Sequence, residues 1–123
     1  MKVYKTFAVE AARSLPNLAD GHPCKKIHGH SFKITITISG QINNNTGFVM
    51  DFSDIESAFS PIHKIIDHSY LNNIDGLYNP SSENLCVWIW SKLHSELKGL
   101  EKIEIQETES TGCIYRGEKH GKS

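Results

Sequence analysis

Residues 24–32, CKKIHGHSF, combine side chains that bind metal ions with side chains that transfer protons. His28 and His30 are two residues apart, so in a β-strand both imidazoles lie on one face. Neutral imidazole nitrogens suit zinc, although an HxH pair alone indicates a metal site only weakly. Cys24 precedes them beside two lysines, and nearby positive charge favours the thiolate, which suits a base or nucleophile. A polar strand entrance and an unreactive loop cysteine are the alternatives.

Two further places carry chemistry. In IDHSYLNN, Asp67 and His68 end a predicted helix, where they either form an acid–base pair in a cleft or simply interact with the helix dipole. Glu107 follows Ile103 and Ile105 on the apparently buried face of a strand. A buried carboxylate is costly unless it is paired. Glu107 therefore either accepts the paired N–H donors of a guanidine-like ligand edge or turns into solvent.

Alternation of apolar residues predicts the strands that position these groups. Residues 3–13 form one strand, ending at Arg13 on its apolar face, and HSFKITITISG forms the next. FVMDF is predicted as the return strand of a hairpin, while KIEIQET and GCIYRG supply two late strands.

Two helices complete the pattern. Ser53 and Glu56 form a capping box for the first, whose apolar stripe passes Pro61, a residue that should kink or divide it. Ser81 or Ser82 caps the second. The order of elements predicts an α+β fold, an antiparallel sheet with two helices packed on one face.

Composition limits the class of protein. The 123 residues predict one domain over residues 1–117 and a polar tail at 118–123. The 13 basic and 14 acidic residues give a net charge of −1, which argues against nucleic-acid and membrane partners. Three cysteines without a CxxC pair, and no signal peptide, favour a cytoplasmic location. One stretch is basic and suits an anionic ligand; its members are His22, Lys25, Lys26, His28, His30 and Lys33.

Six segments together resemble the 6-pyruvoyltetrahydropterin synthase superfamily: FAVEAARSLP, GHPCKKIHGHSF, GFVMDFSDIE, IDHSYLNN, NPSSENLCVWIW and ETESTGCIYRG. The resemblance spans roughly residues 3 to 117. The spacing of four from Cys24 to His28 and the ending GCIYRG are most similar to the bacterial 6-carboxytetrahydropterin synthases of queuosine biosynthesis.

The resemblance implies a lyase that converts 7,8-dihydroneopterin triphosphate to 6-carboxytetrahydropterin, acetaldehyde and triphosphate. It implies Cys24 as the proton-transferring base, with Asp67 and His68 completing the acid–base set from a neighbouring subunit. Glu107 would anchor the pterin, and Ser81 and Ser82 would line its pocket. The resemblance also implies sheets that join into a barrel in a homo-oligomer, built from trimers and commonly a hexamer.

One position departs from the family pattern. The resemblance implies zinc held by His28, His30 and a third histidine at the end of the first strand, where this sequence has Arg13. Arginine stays protonated and offers no lone pair. Zinc is then either held weakly, with a substitute such as His22, or replaced by the guanidinium charge. Otherwise the chain is a paralogue that binds pterins without catalysis. The remaining alternative is an enzyme whose product is 6-pyruvoyltetrahydropterin. Arg13 itself points into the site or pairs with a carboxylate such as Glu10.

Overall fold

The structure, a computed structural model, describes residues 1–118, so most of the predicted tail lies outside the described residues. Two short 3-10 turns, Pro23–Lys25 and Leu71–Asn73, connect the main elements. In chain order these are β1 (Lys2–Arg13), β2 (His28–Ser39), α1 (Phe52–Ile66), β3 (Ser69–Tyr70), α2 (Ser82–Leu93), β4 (Leu100–Gln106) and β5 (Gly112–Tyr115).

The strands form one sheet in the order β3-β1-β2-β4-β5. β1–β2, β2–β4 and β4–β5 are antiparallel, as predicted, but β3 runs parallel to β1. The sheet is therefore mixed, and the expectation of a purely antiparallel sheet is wrong at this edge. A two-residue strand is too short to produce an alternation pattern, so the sequence gave no indication of it.

One face of the sheet is buried beneath both helices. Val9, Phe32, Ile34 and Ile36 are almost fully buried, and side chains of α1 and α2 complete the same core. The register pairs Val9 with Phe32, so the predicted apolar faces of the first two strands coincide. This burial fixes the register, because a slip by one residue would turn every apolar side chain outward.

The start of α1 differs from the prediction. Asp51, not Ser53, is the N-cap: its carboxylate accepts hydrogen bonds from the Ser53 backbone N–H at 2.9 Å and from the Ser53 hydroxyl at 2.8 Å. The predicted return strand FVMDF does not form, because β2 already pairs with β1 and β4 and because Asp51 begins a helix.

The remainder of the helical prediction holds with one exception. α1 is a single helix that continues through the exposed Pro61, so the proline does not divide it. The buried residues Phe59, Ile62 and Ile66 extend the apolar stripe past the proline and hold that last part of the helix on the core. Ser81 caps α2, accepting a hydrogen bond from the Asn84 backbone N–H at 3.1 Å. No helix among residues 1–118 has the length and apolar character to cross a bilayer.

Candidate functional site

Three strands bring predicted site residues to one end of the sheet. β1 ends at Arg13, which pairs with His28 at the start of β2, and alternation puts Arg13, His28 and His30 on the core side. Glu107 directly follows β4, and Ser82 is the first residue of α2. We call Arg13, His28, His30, Ser82 and Glu107 the strand-end cluster.

Arg13 is the most deeply buried charge of this cluster, with 2% of its surface exposed. Its Nη2 donates to Oε1 of Glu107 and forms an ion pair with it. Its Nη1 donates to the Pro80 carbonyl at 3.1 Å and lies 3.4 Å from the Ser82 hydroxyl. The guanidinium also lies over the Phe32 ring, 5.2 Å from its centre, a cation–π geometry. Arg13 thus points into the site.

Glu107 is a half-buried carboxylate with both oxygens engaged. Oε1 accepts from Arg13, and Oε2 accepts from the Ser82 hydroxyl at 2.7 Å. Burial raises the pKa of Glu107, but the Ser82 hydrogen bond and the Arg13 charge outweigh burial, and the pKa lies below its ordinary value. Glu107 is therefore ionised and faces the site, so the prediction that it lies on the buried face holds.

The two histidines lie side by side with ring centres 4.8 Å apart. His28 Nδ1 is 2.7 Å from the Lys26 carbonyl; a carbonyl only accepts, so Nδ1 carries the hydrogen and Nε2 keeps its lone pair. Nε2 is buried and has no hydrogen-bond partner among the described residues. His30 Nε2 lies 3.7 Å from Glu107. Burial and then the Arg13 charge lower the pKa of His30.

These residues do not fit a three-histidine zinc site. His28 is oriented as a ligand would be, with its second nitrogen fixed by a carbonyl. The third position, however, holds a guanidinium, which has no lone pair to donate. His22, the suggested substitute, is exposed and accepts a hydrogen bond from the Cys24 backbone N–H at 3.1 Å. Within residues 1–118 no group of three or more histidine, cysteine, aspartate or glutamate side chains is placed to hold a metal ion.

Cys24 lies in the 3-10 turn between β1 and β2 and is half-buried. Its carbonyl accepts from the Leu15 backbone N–H at 2.9 Å, which ties the turn to the end of β1. Lys25 forms an ion pair with Asp20 at 2.5 Å, so the predicted basic stretch is partly neutralised. Lys26 remains exposed.

Asp67 and His68, which we call the helix-end pair, follow the last residue of α1. His68 has φ 57°, a left-handed conformation uncommon outside glycine, and this turn lets adjacent side chains meet. His68 Nδ1 is 3.0 Å from Asp67 Oδ2, while Asp67 Oδ1 accepts the Glu10 backbone N–H at 2.9 Å. The Glu10 hydrogen bond lowers the pKa of Asp67, and the hydrogen bond with His68 lowers it further.

An open cleft of about 580 Å³ lies between the two groups. His30 of the strand-end cluster and His68 of the helix-end pair both line it, with Gly29 and Ala12 between them. Because these two residues have little or no side chain, the cleft reaches the strand backbones. One residue of each group therefore borders the cleft, whereas Asp67, Ser82 and Glu107 are not among the residues that line it.

Some contacts that build the site had no marker in the sequence. The Pro80 carbonyl and the Glu10 backbone N–H are main-chain groups, which residue types do not reveal. Glu10 as a partner of Arg13 could have been excluded, since an odd spacing within one strand puts two residues on opposite faces. The Glu10 carboxylate instead accepts from the Ser31 hydroxyl at 2.6 Å.

Comparisons with known proteins agree with this fold and identify its family. Residues 2–118 match the family model described as 6-pyruvoyl tetrahydropterin synthase. A Synechocystis protein named 6-carboxy-5,6,7,8-tetrahydropterin synthase is 37% identical over 119 residues, covering 92% of this chain and 91% of that protein. A Bacillus subtilis protein of the same name is 28% identical, covering 95% of this chain and 86% of that protein. The structure of Caenorhabditis elegans 6-pyruvoyl tetrahydropterin synthase superposes with a TM-score of 0.88 at 22% identity, covering 96% of each chain.

Proposed function

Because the chain belongs to the 6-pyruvoyl tetrahydropterin synthase family, we propose that it is a carbon–carbon lyase acting on a pterin. The substrates are 7,8-dihydroneopterin triphosphate and one water molecule, and the products are 6-carboxy-5,6,7,8-tetrahydropterin, acetaldehyde and triphosphate. The names of the Synechocystis and Bacillus subtilis relatives support this product. The reaction belongs to queuosine biosynthesis in the cytoplasm, a location that suits three free cysteines.

The observation that carries the proposal is the state of Glu107. An ionised, half-buried carboxylate held by Ser82 accepts two parallel N–H donors well. The 2-amino-pyrimidinone edge of a pterin offers such a pair of donors. Glu107 already accepts one guanidinium N–H from Arg13, a donor of the same chemical kind, which supports the inference that Glu107 anchors the pterin ring.

Proton transfer falls to Cys24, Asp67 and His68. Cys24 acts as the base that removes a proton from the pterin side chain. Asp67 Oδ2 lies 3.0 Å from His68 Nδ1 and orients the imidazole, so His68 is placed to deliver a proton to a departing group. A well-placed general acid or base contributes roughly 10²–10⁴ in rate. The exposed Lys26, two residues after Cys24 in the chain, supplies positive charge for the triphosphate.

In this proposal the chain binds zinc only weakly. His28 and His30 supply two ligands where a catalytic zinc usually has three, and Arg13 adds a positive charge beside them. Every catalytic role above is accordingly assigned to a side chain of the protein itself.

The oligomer is built from this chain through an open sheet edge. Among the described residues β3 covers only Ala11 and Ala12 of β1, and the helix-end pair and His63 bind main-chain groups of Glu10 and Ala8, which leaves residues 2–7 available on that side. An unpaired edge of this length is a site for strand pairing with another chain. A trimer-based homo-oligomer, probed by light scattering, would cover that edge and bring a second subunit close to the helix-end pair.

Product analysis tests the proposed reaction. Purified protein at high concentration is incubated with 7,8-dihydroneopterin triphosphate, and the products are identified by mass spectrometry and by trapping acetaldehyde. The proposal requires acetaldehyde and the 6-carboxy product in equal amounts, and their loss in Cys24→Ala with pterin binding retained. A 6-pyruvoyl product without acetaldehyde would assign the chain to the other synthase activity.

A second candidate is pterin binding without turnover. The guanidinium in the third histidine position favours it, because this position differs from the pattern that the family resemblance implies. This candidate requires that pterin binds, that Glu107→Ala weakens binding, and that no product forms at any enzyme concentration.

A further inference from the structure

Arg13 belongs both to the implied metal position and to the surroundings of Glu107. Its backbone occupies the third-ligand position beside His28, and its side chain reaches Glu107. We propose that Arg13 is a built-in cation with two effects. It replaces the metal ion beside His28 and His30, and it occupies the Glu107 carboxylate until a pterin displaces it. The second half rests on the proposed role of Glu107 as the pterin anchor.

The exclusion of metal follows from charge and donor chemistry. Arg13 is charged at every pH that the protein tolerates, and it is nearly fully buried, so solvent screens it weakly. Glu107, the carboxylate in contact with it, already neutralises that charge. Because Glu107 is already paired with Arg13, no carboxylate of the cluster remains to compensate a divalent cation at His28 and His30, and that cation would find two nitrogen ligands instead of three.

The occupation of Glu107 follows from its hydrogen bonds. A pterin edge with two parallel N–H groups needs both carboxylate oxygens on the same side. One oxygen is taken by Arg13 and the other by the Ser82 hydroxyl. The guanidinium and the pterin edge therefore compete for one acceptor, and binding a pterin requires Arg13 to move.

A displaced Arg13 has an acceptor nearby. His28 lies directly opposite Arg13 in the strand register, where cross-strand side chains are about 5 Å apart at Cβ. His28 Nε2 is buried with its lone pair unused among the described residues, and Arg13 Nε is likewise buried without a partner there. If the guanidinium moved from Glu107 towards His28, Arg13 Nε could donate a hydrogen bond to His28 Nε2. The positive charge would then lie beside the nitrogen that a metal needs as a ligand.

Two binding measurements on one set of variants test the proposal. Zinc affinity is measured by competition with a chromophoric chelator, and pterin affinity by fluorescence titration with neopterin in metal-free buffer. The variants are Arg13→His, which restores a ligand, Arg13→Met, which removes the charge, and Arg13→Lys, which keeps the charge but loses the fork of donors. Arg116→Met is the matched control, because Arg116 is exposed.

The expected results separate the two halves. Arg13→His binds about one zinc per chain at a free zinc concentration where the parent and Arg13→Lys bind none. Arg13→Met binds neopterin roughly tenfold more tightly than the parent, since the competitor for Glu107 is gone, and Arg13→Lys binds it severalfold more tightly, since an ammonium without the fork is a weaker competitor. Arg116→Met matches the parent in both measurements. Circular dichroism confirms folding, and Arg13→Lys keeps the test valid if Arg13→Met does not fold.

Three results would overturn the proposal. Stoichiometric zinc in the parent, as tight as in Arg13→His, contradicts metal exclusion. Weaker or unchanged neopterin binding in folded Arg13→Lys contradicts competition for Glu107 while leaving the lyase proposal intact. Absence of neopterin binding in the parent and in every folded variant contradicts the pterin half of this proposal together with the proposed function itself.

Discussion

The strand-end cluster and the helix-end pair use charge in opposite ways. In the first, Arg13 and Glu107 neutralise each other beneath α2, held by the Ser82 hydroxyl and the Pro80 carbonyl. In the second, Asp67 is held by a backbone N–H, and 77% of the His68 side chain is exposed. One residue of each, His30 and His68, borders the same cleft. Under the proposed function, the difference corresponds to a division of labour in which the strand-end cluster binds the ring and the helix-end pair, together with Cys24, moves protons.

Energetics support this division. Removing one partner of a buried ion pair leaves the other charge uncompensated, so the strand-end cluster is coupled to folding. An exposed ion pair contributes at most about 1 kcal/mol to stability. The left-handed backbone of His68 costs on the order of 1 kcal/mol in addition. The helix-end pair therefore adds little to stability, and its strained geometry motivates the proposed catalytic role.

The largest effect is expected at the helix-end pair. Asp67→Asn keeps the side-chain shape but removes the carboxylate that contacts His68 Nδ1 and orients the imidazole, so kcat should fall by about 10². Acetaldehyde release under saturating substrate measures this change. Asp75→Asn, an exposed aspartate nearby in the sequence, serves as the control and should keep the parent kcat. An equal loss of kcat in Asp67→Asn and Asp75→Asn would contradict a specific role of the helix-end pair.

The next effect is expected at Glu107. Glu107→Gln replaces one acceptor oxygen by an NH₂ group. This group is a donor, so it cannot accept a hydrogen bond from Arg13 or from the pterin edge. The loss of a charged acceptor costs about 1.5–3 kcal/mol of binding free energy, roughly ten- to hundredfold in Kd. Fluorescence titration with neopterin measures it. Exposed Glu109→Gln should bind as the parent does, and equal weakening there would contradict a specific role for Glu107.

Substitutions of Ser81 and Ser82 separate an effect on stability from an effect on pterin binding. Ser81→Ala loses the cap of α2 and Ser82→Ala loses the hydrogen bond to Glu107, so each should lower the free energy of unfolding by about 1 kcal/mol. Only Ser82→Ala should also weaken neopterin binding, severalfold. Urea denaturation and titration give the two numbers. Weaker binding in Ser81→Ala would instead give Ser81 the pocket role that the family resemblance implies.

The smallest effect concerns backbone strain. His68→Gly relieves the left-handed conformation, so the free energy of unfolding should stay level or rise by up to about 1 kcal/mol. The control is His94→Gly, where the exposed histidine has helical φ and ψ and glycine should destabilise by about 1 kcal/mol. If both variants lose the same stability, His68 is not strained.

Alternation in the sequence predicted most of the fold and the grouping of the site residues. Phe32, Ile34 and Ile103 revealed the buried face because a strand repeats every two residues. The two-residue β3 left no such pattern, and Asp51 took the cap from Ser53 because competition between neighbouring caps depends on the path of the incoming chain. The contact between Arg13 and Glu107 joins residues 94 positions apart. Only the packed sheet determines such a contact, so the sequence left the partner of Arg13 open.

The equilibrium affinity of Asp67→Asn for neopterin, beside that of Glu107→Gln, tests the division of labour most directly. Both variants should turn over slowly, but the account predicts that Asp67→Asn binds neopterin as tightly as the parent while Glu107→Gln binds it at least about tenfold more weakly. If Asp67→Asn loses affinity as far as Glu107→Gln does, the helix-end pair binds the ring as well, and the proposed separation of binding from proton transfer is wrong.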